Sequence, residues 1–310
     1  MTGPAFSWNI VADLRSMWEW PFMRNAFEAG TLVAIIAGII GYYVVLRHSA
    51  FATHALGHVG FSGAAAAVLF GVNPVYGLLL FTTGGGIGMA LLGKRASTRD
   101  IEIGTVLAFM LGLGLVFLSL YSGYATQAYS ILFGEILGIS DSGVILTLEA
   151  GVAVLAVLAL IYRPLLFSSL DEDVAEAKGL SLLALNIAFM VLLAVAISFA
   201  VQVVGVLLIF ALMVTPAATA VRLTRTPFYA VIVSISISLF SVWVGLFVSW
   251  YEPYPTSFFI VTTATIIYLV VRTGPSVLNL ARRMSRRPSP TPPLAAPQAI
   301  GPERTAESHP

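Results

Sequence analysis

Residues 168–203 read SSLDEDVAEAKGLSLLALNIAFMVLLAVAISFAVQV. The first half is short, polar and bounded at both ends. Ser168 or Ser169 can cap a helix whose first turn holds Asp171, Glu172 and Asp173, which suits the positive end of the helix dipole. Gly179 can end that helix in a left-handed C-cap. The second half, from Leu182 to Val203, carries no charge and is long enough to cross a bilayer, for which roughly 20 apolar residues suffice. A capped, acidic helix of about ten residues set against such a run lies along a membrane surface between two spans.

The composition supports lipid as the solvent. Of 310 residues, 58% are hydrophobic and 10% charged, and the mean hydropathy is +0.92. A soluble domain carries about 25% charged residues. The net charge of +1 offers no basic field for nucleic acid. The absence of cysteine removes thiolate metal sites, disulfides and thiol catalysis together. No cleavable leader is expected, because residues 1–25 hold Asp13, Arg15, Glu19 and Arg24 and no long apolar run.

Nine apolar runs follow, near 26–47, 52–71, 75–92, 102–122, 143–162, 182–203, 205–222, 227–250 and 257–273. Three connecting segments are basic: GKRASTRD (93–100), RLTRTP (222–227) and RRMSRR (282–287). Short basic loops stay in the cytoplasm. Nine spans put all three on that side, with the C-terminus cytoplasmic and the N-terminus external. GVNP (71–74) and the aromatic WYEPYPTS (250–257), which lack Lys and Arg, fall on the other side. The expected architecture is all-α: an interfacial N-terminal segment (1–25), a polytopic bundle (26–275) of about nine transmembrane helices with a short cytoplasmic helix near 168–180, and a basic, Pro-rich tail (276–310). Residues 288–310 hold seven of the sixteen prolines and few large apolar residues, a composition that favours disorder.

Several stretches together resemble the metal-ion permease family of ABC transporters. An acidic residue followed by Ala-x-x-x-Gly appears as Asp171, Ala175 and Gly179. One span later come Val204, Gly205, Leu207 and Leu208, then Pro216 to Ala220 as Pro-Ala-Ala-Thr-Ala. Residues 21–51, IEIGTVLAFMLGLGLVFLS (101–119) and AYSILFGEILGISDSG (128–143) resemble further family elements, in family order over roughly residues 20–275. The resemblance implies a permease homodimer in the cytoplasmic membrane of a prokaryote, importing zinc, manganese or iron. It implies cytoplasmic ATPase subunits as partners and an extracytoplasmic metal-binding protein that delivers the ion. Leu170, Asp171, Glu172, Ala175 and Gly179 would then belong to the helix that couples to the ATPase. No permanently bound cofactor is implied.

The stretch AFATHALGHVG (50–60) holds two of four histidines, His54 and His58. At i, i+4 both face one side of a helix and can meet one ion. Imidazole suits zinc, iron, copper and nickel. Two ligands make an open site from which an ion can leave. In the family pattern, Gly-Asp-x-x-x-His-Ala, His58 falls on the His, His54 on the Asp and Thr53 on the Gly. The departure makes the pair neutral and favours zinc over manganese, because carboxylate suits the harder ion. His54 stands near the cytoplasmic end of its run, and Gly57, Gly60 and Gly63 offer places where its helix can break. His48 is expected at the interface and His309 in the tail.

Two other classes fit less well. His-x-x-x-His is the zincin spacing, but Ala55 stands where the catalytic Glu belongs. A secondary cation transporter needs intramembrane carboxylates, for which Glu28 and Glu149 are the candidates. Glu102 is expected as a helix N-terminal acid. TTGGGIG (82–88) lacks the Lys-Ser/Thr of a phosphate loop and suits close helix packing. ATP must therefore be hydrolysed by a partner, and the chain itself is expected to be no enzyme.

Overall fold

The computed structural model describes residues 10–92, 99–121 and 134–285. These residues form ten α-helices and no strand. They are α1 (Ile10–Trp18), α2 (Pro21–Leu46), α3 (Ala50–Leu69), α4 (Pro74–Leu92), α5 (Arg99–Leu120), α6 (Asp141–Leu170), α7 (Glu172–Ala177), α8 (Leu182–Leu223), α9 (Pro227–Tyr251) and α10 (Thr256–Ser285). A single 3-10 turn, Ile136–Gly138, precedes α6. The basic segment 93–98, part of the 128–143 stretch, residues 1–9 and the tail from 286 lie outside the described residues. Helix α10 continues to Ser285, past the boundary of 275 expected for the tail.

Seven helices are long and apolar enough to cross a membrane, rather than nine: α2, α4, α5, α6, α8, α9 and α10. Two features account for the difference. Helix α3 is long enough, but His54, His58, Thr53, Ser62 and its many small residues lower its apolarity. The runs 182–203 and 205–222 lie end to end in one 42-residue helical element, α8, with a kink at Gly205. A straight helix of that length would reach about 63 Å, twice a bilayer's hydrocarbon core of about 30 Å.

Helix α8 is not straight. Gly205 sits inside it at φ 81, ψ 163, outside helical space. The Phe189 ring lies 5.3 Å from the Arg47 guanidinium, just past the end of α2. A methyl added at Gly41, one turn and a half earlier in α2, would land on the Met213 carbonyl. Along a straight helix Phe189 and Met213 would stand about 36 Å apart, yet both meet the last turns of α2. The chain therefore doubles back at Gly205, and α8 consists of two arms.

The two arms of α8 form the buried centre, with α2, α3, α4, α6, α9 and α10 packed around them. Small residues bring the helices close. Alanine at either Gly63 of α3 or Gly77 of α4 would collide with the other's carbonyl. Thr82 of α4 and Ser198 of α8 share a hydrogen bond of 2.6 Å. Without a hydrophobic force between helices in lipid, such close backbone contact and side-chain hydrogen bonding supply much of the association. Helix α5 rests on the outside of α3, where the Ser62 hydroxyl donates to the Met110 carbonyl at 2.5 Å.

The two ends of the bundle differ. At one, Trp20 and Phe22 pack on Trp250 at 6.5 and 6.1 Å between ring centroids, beside the short helix α1. Asn25 ties α2 to the start of α6 through Asp141 Oδ1 at 2.7 Å and the Ile139 carbonyl at 3.2 Å. At the other end stand Arg47, the α2–α3 turn, the end of α6 and helix α7.

Candidate ion site and coupling segment

The helical spacing of His54 and His58 is realised. Their ring centroids are 4.6 Å apart at an interplanar angle of 82°, and both residues are half-buried. Across from them, Phe210 on the second arm of α8 meets the His54 ring at 5.1 Å. The Nδ1 of His58 is buried and has no hydrogen-bond partner. A ring nitrogen in that position is an unused donor atom for a cation, or an unmet desolvation cost if no cation ever arrives. No third His, Asp or Glu joins the pair among the described residues. The arrangement is an open pair of imidazoles.

The three glycines of α3 do not break the helix, contrary to the sequence expectation. Helix α3 is continuous from Ala50 to Leu69. Gly57 admits Val206 of α8, Gly60 admits Leu78 and Thr82, and Gly63 admits the backbone of α4. The break lies across from the histidines, at Gly205. It is wedged by Gly134, where a methyl would fall on the Val204 carbonyl carbon and the Gly205 nitrogen. Gly134 itself has a φ of +74. The resemblance of residues 128–143 to a family element covers this residue without indicating what it touches.

Glu28 and Glu149 are not gathered with the histidines. Glu28 is exposed and lies 4.0 Å from Arg24 in an i, i+4 pair. Glu149 lines a cavity of 710 Å³ on the aromatic-rich half of the molecule, together with Glu135, Asn73, Ser140 and Gln202. Sequence reasoning passed over Glu135, which stands next to Gly134 at the helix break. His48 occupies the turn between α2 and α3, and His309 lies outside the described residues.

The acidic segment is shorter than expected. Ser168 and Ser169 do not cap it; they belong to the last turn of α6 and donate to the Leu165 carbonyl. The cap is Asp171, whose Oδ1 accepts from the Val174 amide at 3.0 Å, and α7 runs only Glu172–Ala177. Gly179 ends it as expected, at φ +81, with Gly179 N donating to Glu176 O and Leu180 N to Ala175 O. These are the two bonds of a Schellman motif. Ala175 is fully buried against the bundle, whereas Leu170, Asp171, Glu172, Asp173, Val174 and Glu176 are exposed. The helix is anchored by one small residue and presents an acidic surface.

Arg47 was not singled out from the sequence. Its Nη1 donates to Ser169 Oγ at 3.1 Å and Ser168 Oγ at 3.3 Å, while the guanidinium lies over Phe189. No short-range pattern marks a contact between residues more than 120 positions apart.

Comparison with known proteins adds the following. The ABC 3 transport family matches over residues 19–274. The manganese transport system membrane protein MntC of Listeria monocytogenes is 29% identical over 258 residues, covering 83% of this chain and 92% of that protein. The manganese import system permease protein ScaB of Streptococcus parasanguinis is 29% identical over 262 residues, covering 84% and 93%. Among solved structures, that of PsaBC from Streptococcus pneumoniae in complex with Fab superimposes with a TM-score of 0.76. It shares 27% identity and covers 84% of this chain and 95% of that one.

Proposed function

The chain belongs to the ABC 3 transport family, and from that premise we propose that it is the membrane-spanning permease of an ABC importer for a divalent transition-metal ion. It is a transport subunit, not an enzyme. ATP is hydrolysed by separate cytoplasmic ATPases, an extracytoplasmic binding protein delivers the ion, and two copies of the chain form the route. The names of the relatives support a transported divalent metal. They speak against a secondary transporter driven by Glu28 and Glu149, neither of which the bundle joins to the histidines.

In this reading nine spans cross the cytoplasmic membrane. The two arms of α8 each cross once, since they meet the same end of α2, and α3 crosses with its histidines facing protein rather than lipid. Arg47, α7 and the C-terminus lie in the cytoplasm, and the Trp20–Trp250 cluster lies at the external surface. Helix α7, with Leu170, Asp171, Glu172, Ala175 and Gly179, docks on the ATPase. Its exposed acidic face and single buried anchor suit a part that moves as a rigid body.

His54 and His58 form the transient station for the ion. The observation that carries this role is the buried, unpartnered Nδ1 of His58 beside a second imidazole. A neutral pair of nitrogen donors favours Zn²⁺, although the two named relatives are manganese transporters. Uptake of Zn²⁺ and Mn²⁺ into proteoliposomes holding the whole complex tests both points. His58→Ala is expected to lower uptake of either ion at least about tenfold, the order seen when metal-site groups are removed. His54→Asp is expected to keep uptake and move the preference toward Mn²⁺. Equal uptake of both ions by the unaltered complex would remove zinc as the specific cargo. Unchanged uptake with both histidines replaced by Ala would remove the station.

A further inference from the structure

We propose that Arg47 is the positioning residue that ties the docking helix α7 to the helix bearing the histidines, so that movement at the ATPase reaches the ion station. The inference rests on the roles given above to α7 and to His54 and His58. It concerns how the two communicate, which neither role implies.

The geometry places Arg47 between them. Its guanidinium holds Ser168 and Ser169, three and two residues before the Asp171 cap of α7. Both hydroxyls are already committed as donors to the Leu165 carbonyl, so each can only accept from Arg47. The last turn of α6 is thereby locked in one arrangement. The planar face of the same guanidinium lies over Phe189 on the first arm of α8. One side chain thus touches α6 and α8, the two helices that flank α7 in the chain.

The backbone of Arg47 leads the other way. Arg47 caps α2, and His48 takes the left-handed position of a Schellman motif, with a φ of 51 and Ser49 N donating to Val44 O. That is a sharp, strained turn for a non-glycine residue, and it fixes the angle between α2 and α3. The Ser49 hydroxyl donates to the Arg47 carbonyl, and the Thr53 amide and hydroxyl both donate to the Ser49 carbonyl. Ser49 and Thr53 are each 1% exposed. His54 is the next residue. A shift of α7 and the end of α6 therefore pulls on Arg47, and Arg47 is bonded through one buried turn to the first coil of α3. Loose lipid-facing packing would lose that displacement; a charged nitrogen, Nη1, that donates to two hydroxyls, under a guanidinium face stacked on Phe189, retains it.

The test uses the full complex in proteoliposomes and reads ions moved per ATP hydrolysed, for Zn²⁺ and for Mn²⁺. Arg47→Gln is expected to lower that ratio at least tenfold, and Arg47→Lys to recover part of it, since an ammonium keeps the charge and can donate to the serines but has no planar face to lie over Phe189. Should Arg47→Gln fail to assemble, the double variant Ser168→Ala, Ser169→Ala leaves Arg47 over Phe189 and removes its two serine acceptors, with their bonds to the Leu165 carbonyl; a threefold or greater fall is expected there. An unchanged ratio in the assembled Arg47→Gln complex, or in the serine double variant where it is needed, overturns the proposal. Two further arms test the roles beneath it. If His58→Ala spares uptake, or charge reversal at Asp171 and Glu172 spares stimulated hydrolysis, the ion station or the docking helix is at fault rather than the link.

Discussion

Helices α3 and α8 face each other across the histidine pair, and glycine plays opposite parts in them. Helix α3 has three glycines in its own span and stays continuous, because each has a neighbour that fills the space where a side chain would be: Val206, Leu78 and Thr82, or the α4 backbone. Helix α8 has a single glycine and reverses there. Gly205 holds a backbone conformation that other residues avoid, and Gly134 is driven into the break from outside. What decides between a packed glycine and a broken helix is the neighbour. The continuous helix presents His54 and His58 in register, and the broken one lets Phe210 face them on a returning arm.

Substitutions that separate the two parts should rank accordingly. The largest effect is expected at Gly134, where both demands coincide: a left-handed φ of +74 and direct contact with the Val204–Gly205 backbone. Gly134→Ala adds strain to overlap, at a cost of about 3 kcal/mol or more. The expected readout is loss of the monodisperse permease on size-exclusion chromatography, or a large fall in its apparent melting temperature. If Gly134→Ala assembles with unaltered stability, the break does not depend on its wedge.

Gly63 carries the second demand alone. It lies in a regular helix, but a methyl there would strike the Gly77 carbonyl and the Phe81 Cβ. Gly63→Ala should therefore cost about 1–3 kcal/mol by overpacking. Gly57→Ala meets only a Val206 methyl at 3.1 Å and should cost less than Gly63→Ala. Apparent melting temperatures of the two variants, measured side by side, check the order. A reversed order would mean that α3 is free to shift away from α4 and that its packing does not hold the histidines.

The sequence made the boundaries of these elements legible more readily than their partners. Gly205 separates two apolar runs, and the chain folds back at that residue, where the backbone leaves helical space. The pairing of His54 with His58 follows from spacing within one helix. Position 171 was harder. Ser168, Ser169 and Asp171 are all competent caps, and a local rule cannot rank them; Arg47, fixed 121 positions away, keeps the two serines in α6 and leaves the cap to Asp171. The break expected in α3 failed for a related reason, since Gly57, Gly60 and Gly63 look alike until their neighbours are known.

The smallest effect is expected at Gly179, which isolates the first demand. Its φ is +81, and a Cβ there would meet nothing within 4 Å. Gly179→Ala thus pays only for the left-handed backbone, about 1–2 kcal/mol, and the cost falls on a six-residue helix anchored by Ala175 rather than on the bundle. The melting temperature of the whole permease should barely move. Amide hydrogen exchange across 172–177 should speed up, because the Schellman bonds from Gly179 and Leu180 loosen first. Gly179→Asn should show less of this, since Asn enters the left-handed region more easily. A fall in melting temperature as large as that of Gly63→Ala would show α7 to be part of the bundle's core stability. A local change confined to its own amides would show a separately hinged element, as a helix that docks on a moving partner needs to be.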